Sequence, residues 1–229
     1  MKLLVLDTST EWCSAALWLD GAVHARRELA EQRHSSLILP MVDALLHEAG
    51  VTLRALDGIG YGAGPGSFTG LRIACAVTQG LALGADLPVA GVSTLESLAA
   101  QTDATRVLTL LDARMAEVYW AAYERDGEDW RTVVGPRLAL PDSIFVPDGA
   151  GWVGAGNGFA VLYAAQRAAI TEKLVRLDAS LMPDATAMAP LAARAFARGE
   201  GMDAALAAPI YLRDKVALTV DERRARKSA

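Results

Sequence analysis

The sequence predicts an α/β fold built from two similar halves. Three observations predict it. Short apolar strands alternate with helical patterns, the opening pattern returns about a hundred residues later, and a glycine loop that opens a helix occurs in each half. The segments Leu3 to Trp18 and Leu108 to Tyr123 can be laid over one another at an offset of roughly 105 residues. Each has an apolar strand ending in aspartate (Asp7, Asp112), a polar turn, and an apolar, aromatic second strand. Each closes with an Asp-Gly pair (Asp20-Gly21, Asp126-Gly127), slipped by one residue. A repeat of this length fits duplicated α/β halves better than a solenoid. The polar stretch Gln101–Thr105 marks the boundary. The expected organisation is therefore 1–103, 104–215, and a mobile basic tail at 216–229.

The elements follow in order. Residues 2–7 read as a strand ending at Asp7, and 12–19 and 22–29 as two more joined by Asp20-Gly21, a pair that tolerates the positive φ of a tight hairpin. Leu37, Ile38, Met41, Val42, Leu45, Leu46 and Ala49 then recur at helical spacing, which predicts a helix over 35–49. Ser35 or Ser36 can cap its start and Gly50 its end, and Pro40 sits in its first turn or bends it. Residues 56–62 read as a strand, 62–66 as a glycine loop, 67–83 as a helix stopped by Gly84, 88–92 as a short buried strand, and 94–100 as a helix. The second half repeats the glycine loop at 154–158, with helices near 159–168 and 185–198.

Composition narrows the class. Of 229 residues 52% are hydrophobic and 21% charged, enough for a core and unlike a disordered chain. A net charge of -5 argues against a chain that grips RNA by itself, which needs a basic face. Cys13 and Cys75 form no CxxC pattern. The first apolar run is too short for a signal peptide, and no uninterrupted apolar stretch of about 18 residues suggests a membrane span. A reduced cytoplasmic protein is expected.

The most distinctive local feature is Gly64-Pro65-Gly66-Ser67-Phe68-Thr69-Gly70 running into a helix. Such a loop can cradle a phosphate on free N–H groups, or it can simply be a tight turn where backbones approach closely. It is not a Walker A motif, because no Gly-Lys-Ser/Thr follows. Asp7 and Asp112 could hold a metal–phosphate group or cap their own turns. The helix after the loop carries Ala76, Gly80 and Gly84 at four-residue steps, a stripe that lets another helix come close. Periodicity alone leaves open whether this stripe and the apolar face of 35–49 serve the core or a partner. His24, His34 and His47 form no helical metal clamp, no Gly-x-Ser-x-Gly elbow is present, and both cysteines lie in apolar segments.

Several stretches resemble one family. They are Leu6-Asp7-Thr8-Ser9-Thr10, the Gly64–Arg72 segment, Gly91-Val92-Ser93-Thr94-Leu95, Asp112-Ala113-Arg114-Met115 with Glu117-Val118-Tyr119, and Tyr211-Leu212-Arg213. In order and over nearly the whole chain they are similar to TsaB, a degenerate relative of the catalytic TsaD proteins. The resemblance implies an actin-like, sugar-kinase-like fold of two ribonuclease H-like halves. It implies a non-catalytic subunit that pairs with a TsaD-type subunit, is joined by a TsaE-type ATPase, reaches tRNA through that complex, and forms a homodimer when alone. No metal or cofactor of its own is implied, and ATP or ADP at the partner interface is left open. The relative's metal-binding histidines fall at Thr94 and Leu98 here, and Thr8 and Ser9 stand where the fold family has glycine. The resemblance places partner contacts at Ile38, Met41, Val42, Leu45, Gly70, Ala76 and Gly80. Asp7, Thr8, Ser9, Gly64, Gly66 and Asp112 would face a nucleotide. The competing readings are an actin-like phosphotransferase or ATPase active on its own, a metallopeptidase, and a binding module unconnected with tRNA.

Overall fold

The computed structural model describes residues 1–213; the basic tail expected at 216–229 lies outside the described residues. Strand β1 (Lys2–Asp7) is buried from Leu3 onward because both faces of its sheet are covered, which is why it reads as a continuous apolar run. It pairs antiparallel with β2 (Trp12–Leu19) and parallel with β4 (Gly58–Gly64). Strand β3 (Ala22–Leu29) and β5 (Val89–Ser93) complete a sheet of order β3-β2-β1-β4-β5. Asp20 and Gly21 form the β2–β3 turn, both with positive φ.

The second sheet has β6 (Arg106–Asp112), β7 (Val118–Asp126), β8 (Asp129–Ala139), β9 (Trp152–Ala155) and β10 (Arg176–Asp178). Its order, β10-β9-β6-β7-β8, is the first sheet's order read from the other edge, with the same parallel and antiparallel pairings. The repeat seen in the sequence is thus a repeat of topology. The second hairpin turn differs from expectation: Asp126 pairs with Asp129, so Asp126 belongs to the strand and Gly127-Glu128 make the turn.

Helix α1 (His34–Ala49) ends at Gly50, whose φ of 63° is the left-handed cap glycine supplies without strain. Its start has no side-chain cap, because the Ser36 hydroxyl donates to the Arg33 carbonyl, and Pro40 lies inside the helix on its exposed side. Helix α2 (Phe68–Ala85) runs through Gly84 and ends at Asp86, another left-handed cap. Buried Ala82 and Ala85 hold that last turn on the sheet, so the glycine does not break it. Both helices cover one face of the first sheet, where Ile38, Met41, Val42, Leu45, Cys75 and Ala82 pack on Leu4, Leu6, Leu17, Ile59 and Tyr61. Helix α2 is long and apolar enough, by length and composition alone, to cross a membrane; here its inner face is core.

Two of the other helices pack across the division at 103/104. Helix α3 (Thr94–Ala100) packs with Leu95, Leu98 and Ala99 against Val107, Leu111, Ala121 and Tyr123 of the second sheet. Helix α5 (Ala185–Ala197) comes from the second half of the chain yet covers the first sheet, placing Met188, Ala189 and Ala192 on Leu3, Val5, Ala16 and Val92. Each half of the sequence therefore lends a helix to the other. The helix expected near 159–168 is displaced: a 3-10 turn at Asn157–Ala160 lies against β6, and α4 (Ala164–Thr171) follows it. After α5 the chain returns across the first half. Met202 bridges Val89, the Tyr61 hydroxyl bonds both the N–H and the carbonyl of Ala208, and the Ile210 N–H reaches the Ala63 carbonyl at 2.7 Å.

Candidate functional site

Two surfaces gather the residues singled out in the sequence. The first is the outer side of α1 and α2. Ile38, Met41, Val42 and Leu45 do not belong to it: they are buried in the chain's own core, so their place among partner contacts is corrected. The apolar periodicity of α1 is satisfied by its own sheet. Gly70 is also buried, and a Cβ there would run into the Thr8 carbonyl oxygen. Ala76 and Gly80 are exposed, as are Gly84 and Leu83, and on α1 Leu39 is 48% exposed. A Cβ built on Gly80 or Gly84 would meet no described atom within 4 Å.

The second surface is a cleft of about 610 Å³ between the halves. It is bounded by the β1–β2 turn, the β3–α1 turn, the start of α2, the β6–β7 turn and residues 210–213. Of the residues expected to face a nucleotide, Ser9, Gly66 and Asp112 line it. Asp7, Thr8 and Gly64 do not. Asp7 is fully buried on the side facing α5, close to Gly62 and Met188. Its carboxyl accepts from the Ser9 N–H (3.3 Å) and hydroxyl (3.1 Å). Burial raises its pKa from 3.8 to about 7 against the pull of those bonds, with Asp184 adding to the rise and Arg27 opposing it. The buried Thr8 hydroxyl donates to the Gly70 carbonyl at 2.7 Å.

The glycine loop is accounted for by close approach. A Cβ on Gly66 would lie 2.6 Å from the Ser9 carbonyl oxygen, and one on Gly64, whose φ is 122°, would lie 2.8 Å from that of Ile210. Two of the nearby N–H groups are also engaged: Ser67 donates to the Ser9 carbonyl, and the Ser67 hydroxyl caps the Gly70 N–H. Asp112 is likewise a turn cap, accepting from the Arg114 N–H at 2.7 Å. Thr94 donates to the Pro65 carbonyl, and Leu98 is buried in the second half's core. Among the described residues no three His, Cys, Asp or Glu side chains gather as a metal site requires.

Two features escaped the sequence reading. Arg114, Met115 and Ala116 all have positive φ, and so do Glu31 and Gln32 on the opposite rim. Nothing in residue type announces this, because none is glycine. The second is the reach of 207–213 across the cleft mouth. Tyr211-Leu212-Arg213 stands out only through the family resemblance.

The whole-chain comparisons agree with this architecture. A family model described as TsaD, tRNA N6-adenosine threonylcarbamoyltransferase, matches residues 25–219. The tRNA threonylcarbamoyladenosine biosynthesis protein TsaB of Escherichia coli K12 is 43% identical, over 95% of this chain and 96% of that one. The protein of the same name from Haemophilus influenzae is 37% identical over 94% and 95%. The solved structure of YeaZ from Pseudomonas aeruginosa, 44% identical, superposes with a TM-score of 0.84 and covers 92% of this chain and 99% of that one. A second solved structure, an uncharacterized P. aeruginosa protein similar to peptidase YEAZ, gives 0.86 at 44% identity and covers 93% and 99%. With two sheets of matching topology in the actin-like arrangement and full-length likeness to these proteins, the chain belongs to the TsaB family.

Proposed function

We propose that the chain is a cytoplasmic, non-catalytic subunit in the formation of threonylcarbamoyladenosine in tRNA. It pairs with a TsaD-type catalytic subunit, a TsaE-type ATPase joins the pair, and tRNA is engaged through the assembly. The observation that carries this reading is the outer stripe of α2. Glycine inside a helix costs about 1 kcal/mol relative to alanine. At Gly80 and Gly84 no neighbour among the described residues needs the missing side chain, since a Cβ would meet none of them within 4 Å. A stripe kept small at that cost, on a helix that also exposes Leu83, suits close approach by a helix of another molecule. The same stripe would serve a homodimer when the catalytic partner is absent, and ATP or ADP would sit, if anywhere, where the partners meet. A phosphotransferase acting alone fits less well, because Asp7 is sealed behind Ser9 and α5 rather than presented to the cleft.

An omission assay tests the reading. TsaD-type and TsaE-type proteins are mixed with tRNA and a source of threonylcarbamoyl-adenylate, with the chain, without it, or with Gly80→Arg, and labelled threonine in tRNA is counted. Incorporation is expected with the wild-type chain only, while folded Gly80→Arg fails both to pair and to support it. Equal incorporation without the chain would remove the proposed role. Normal pairing by Gly80→Arg would remove the proposed face.

A further inference from the structure

We propose that residues 207–213 form a clasp across the cleft, with Arg213 holding the β6–β7 turn of the second half in a shape that it would otherwise leave. The near end of this segment is fixed to the first half. The Ala207 carbonyl accepts from the Gln79 side chain (3.1 Å) and the Cys75 thiol (3.3 Å), and Ile210 is bonded to Ala63. The Tyr211 hydroxyl accepts from Arg72 Nε at 2.8 Å, while the Arg72 guanidinium lies 3.6 Å from the centre of the Phe68 ring. The far end is fixed to the second half by one side chain. Arg213 donates to the Ala113 carbonyl at 2.9 Å, pairs with Glu117, and touches the Met115 sulfur at 3.3 Å.

The turn thus gripped is unusual. Three successive residues with side chains, Arg114, Met115 and Ala116, sit at φ of 63°, 57° and 59°, a region L-residues avoid. Such a run persists only where its surroundings over-determine it. Among the described residues its polar supports are the Asp112 cap on Arg114, the Ala113–Glu117 and Glu117–Arg114 backbone bonds, and Arg213. Arg213 alone among these reaches the turn from a segment bonded to the other half. Releasing it should let the turn relax and untie the second wall of the cleft, so the clasp is a built-in control on cleft shape.

Hydrogen exchange followed by mass spectrometry, on the full chain as wild type, Arg213→Ala, Arg213→Lys and Tyr211→Phe, tests this. In Arg213→Ala, exchange over 112–118 is expected to rise about tenfold or more, while β1 and β6 keep wild-type protection. Arg213→Lys retains a charge for Glu117 but loses the separate Nη2 bond to the Ala113 carbonyl, so it should fall between the two, and it decides the matter if Arg213→Ala does not fold. Tyr211→Phe should loosen the near end only, with 112–118 unchanged. The proposal is overturned if 112–118 exchanges at the wild-type rate in the Arg213 variants, or if the increase spreads evenly over both sheets.

Discussion

The same substitution at two glycines of one helix should have opposite effects. At Gly80, mid-helix and exposed, an added methyl group meets nothing within 4 Å, so alanine only restricts the unfolded chain and improves helix propensity. The expected gain is about 1 kcal/mol, or ~2–4 °C in Tm for a chain of this size. At Gly70 the methyl group is driven into the Thr8 carbonyl oxygen. That neighbour is backbone, and it is locked, since the Thr8 hydroxyl is itself bonded to the Gly70 carbonyl. No rotamer change relieves the overlap, so the first turn of α2 must shift, at a cost of about 3 kcal/mol or more against a propensity gain of about 1. Gly70→Ala should therefore lose about 2 kcal/mol or more net. Urea denaturation of both variants, at concentrations low enough that self-association does not contribute, measures the difference. A Gly70→Ala protein as stable as wild type would mean that the loop is not packed against β1 as described. A destabilised Gly80→Ala would mean that the stripe has an internal role, and the argument for a partner face would fall with it.

Three further outcomes are expected. Because the folded pKa of Asp7 lies near 7, above its unfolded 3.8, the native state holds the extra proton between those values, so the resulting stabilisation is full below 3.8, falls progressively as pH rises between the two, and is gone above about 7. At about 1.36 kcal/mol per unit this is on the order of 4 kcal/mol, so Asp7→Asn should flatten that part of the pH–stability profile and be more stable than wild type at about pH 8; parallel profiles would contradict it. Ser67→Ala removes the side-chain cap on the Gly70 N–H and should cost about 1 kcal/mol, read as a lower urea midpoint with unchanged slope. Burial pushes the Cys13 thiol up to about 12 and raises Cys75, whose Sγ also faces the Ala207 carbonyl, so neither should react with a thiol reagent until the protein is unfolded; rapid labelling of the native chain would refute their enclosure.

Strands proved more legible than helix allegiance, for a physical reason. Continuous burial of Leu3 to Leu6 between two helical layers leaves an apolar run, and Asp20-Gly21 leaves a turn whose residue types are dictated by φ. An amphipathic helix records only that one face is covered, not by which sheet. Nothing in Ala185–Ala197 tells that it will lie on Leu3 and Val5 rather than on β6, and nothing in the α1 heptad tells core from interface. The exposed members of the α2 stripe were readable, because small residues at four-residue steps mark a face whether or not it is occupied. The left-handed turn at Arg114–Ala116 was not, because no residue in it is glycine and one of its contacts, Arg213, lies roughly a hundred residues away.

That contrast bears on how the cleft should be understood. Asp7, Asp112 and the glycine loop occupy the places where this fold could handle a phosphate, yet each is accounted for inside the chain. Asp7 is buried with Ser9 as its bonding partner, Asp112 caps its own turn, and Gly64, Gly66 and Gly70 let the loop press against Ile210, Ser9 and Thr8. By contrast, among the described residues nothing lies within 4 Å of a Cβ added at Gly80 or Gly84. A residue whose conformational cost is explained by its own chain carries no information about a ligand, whereas one whose cost is unexplained points outward. By that criterion the outer side of α2 is the surface to test for a partner, and the cleft the place to test the proposed clasp.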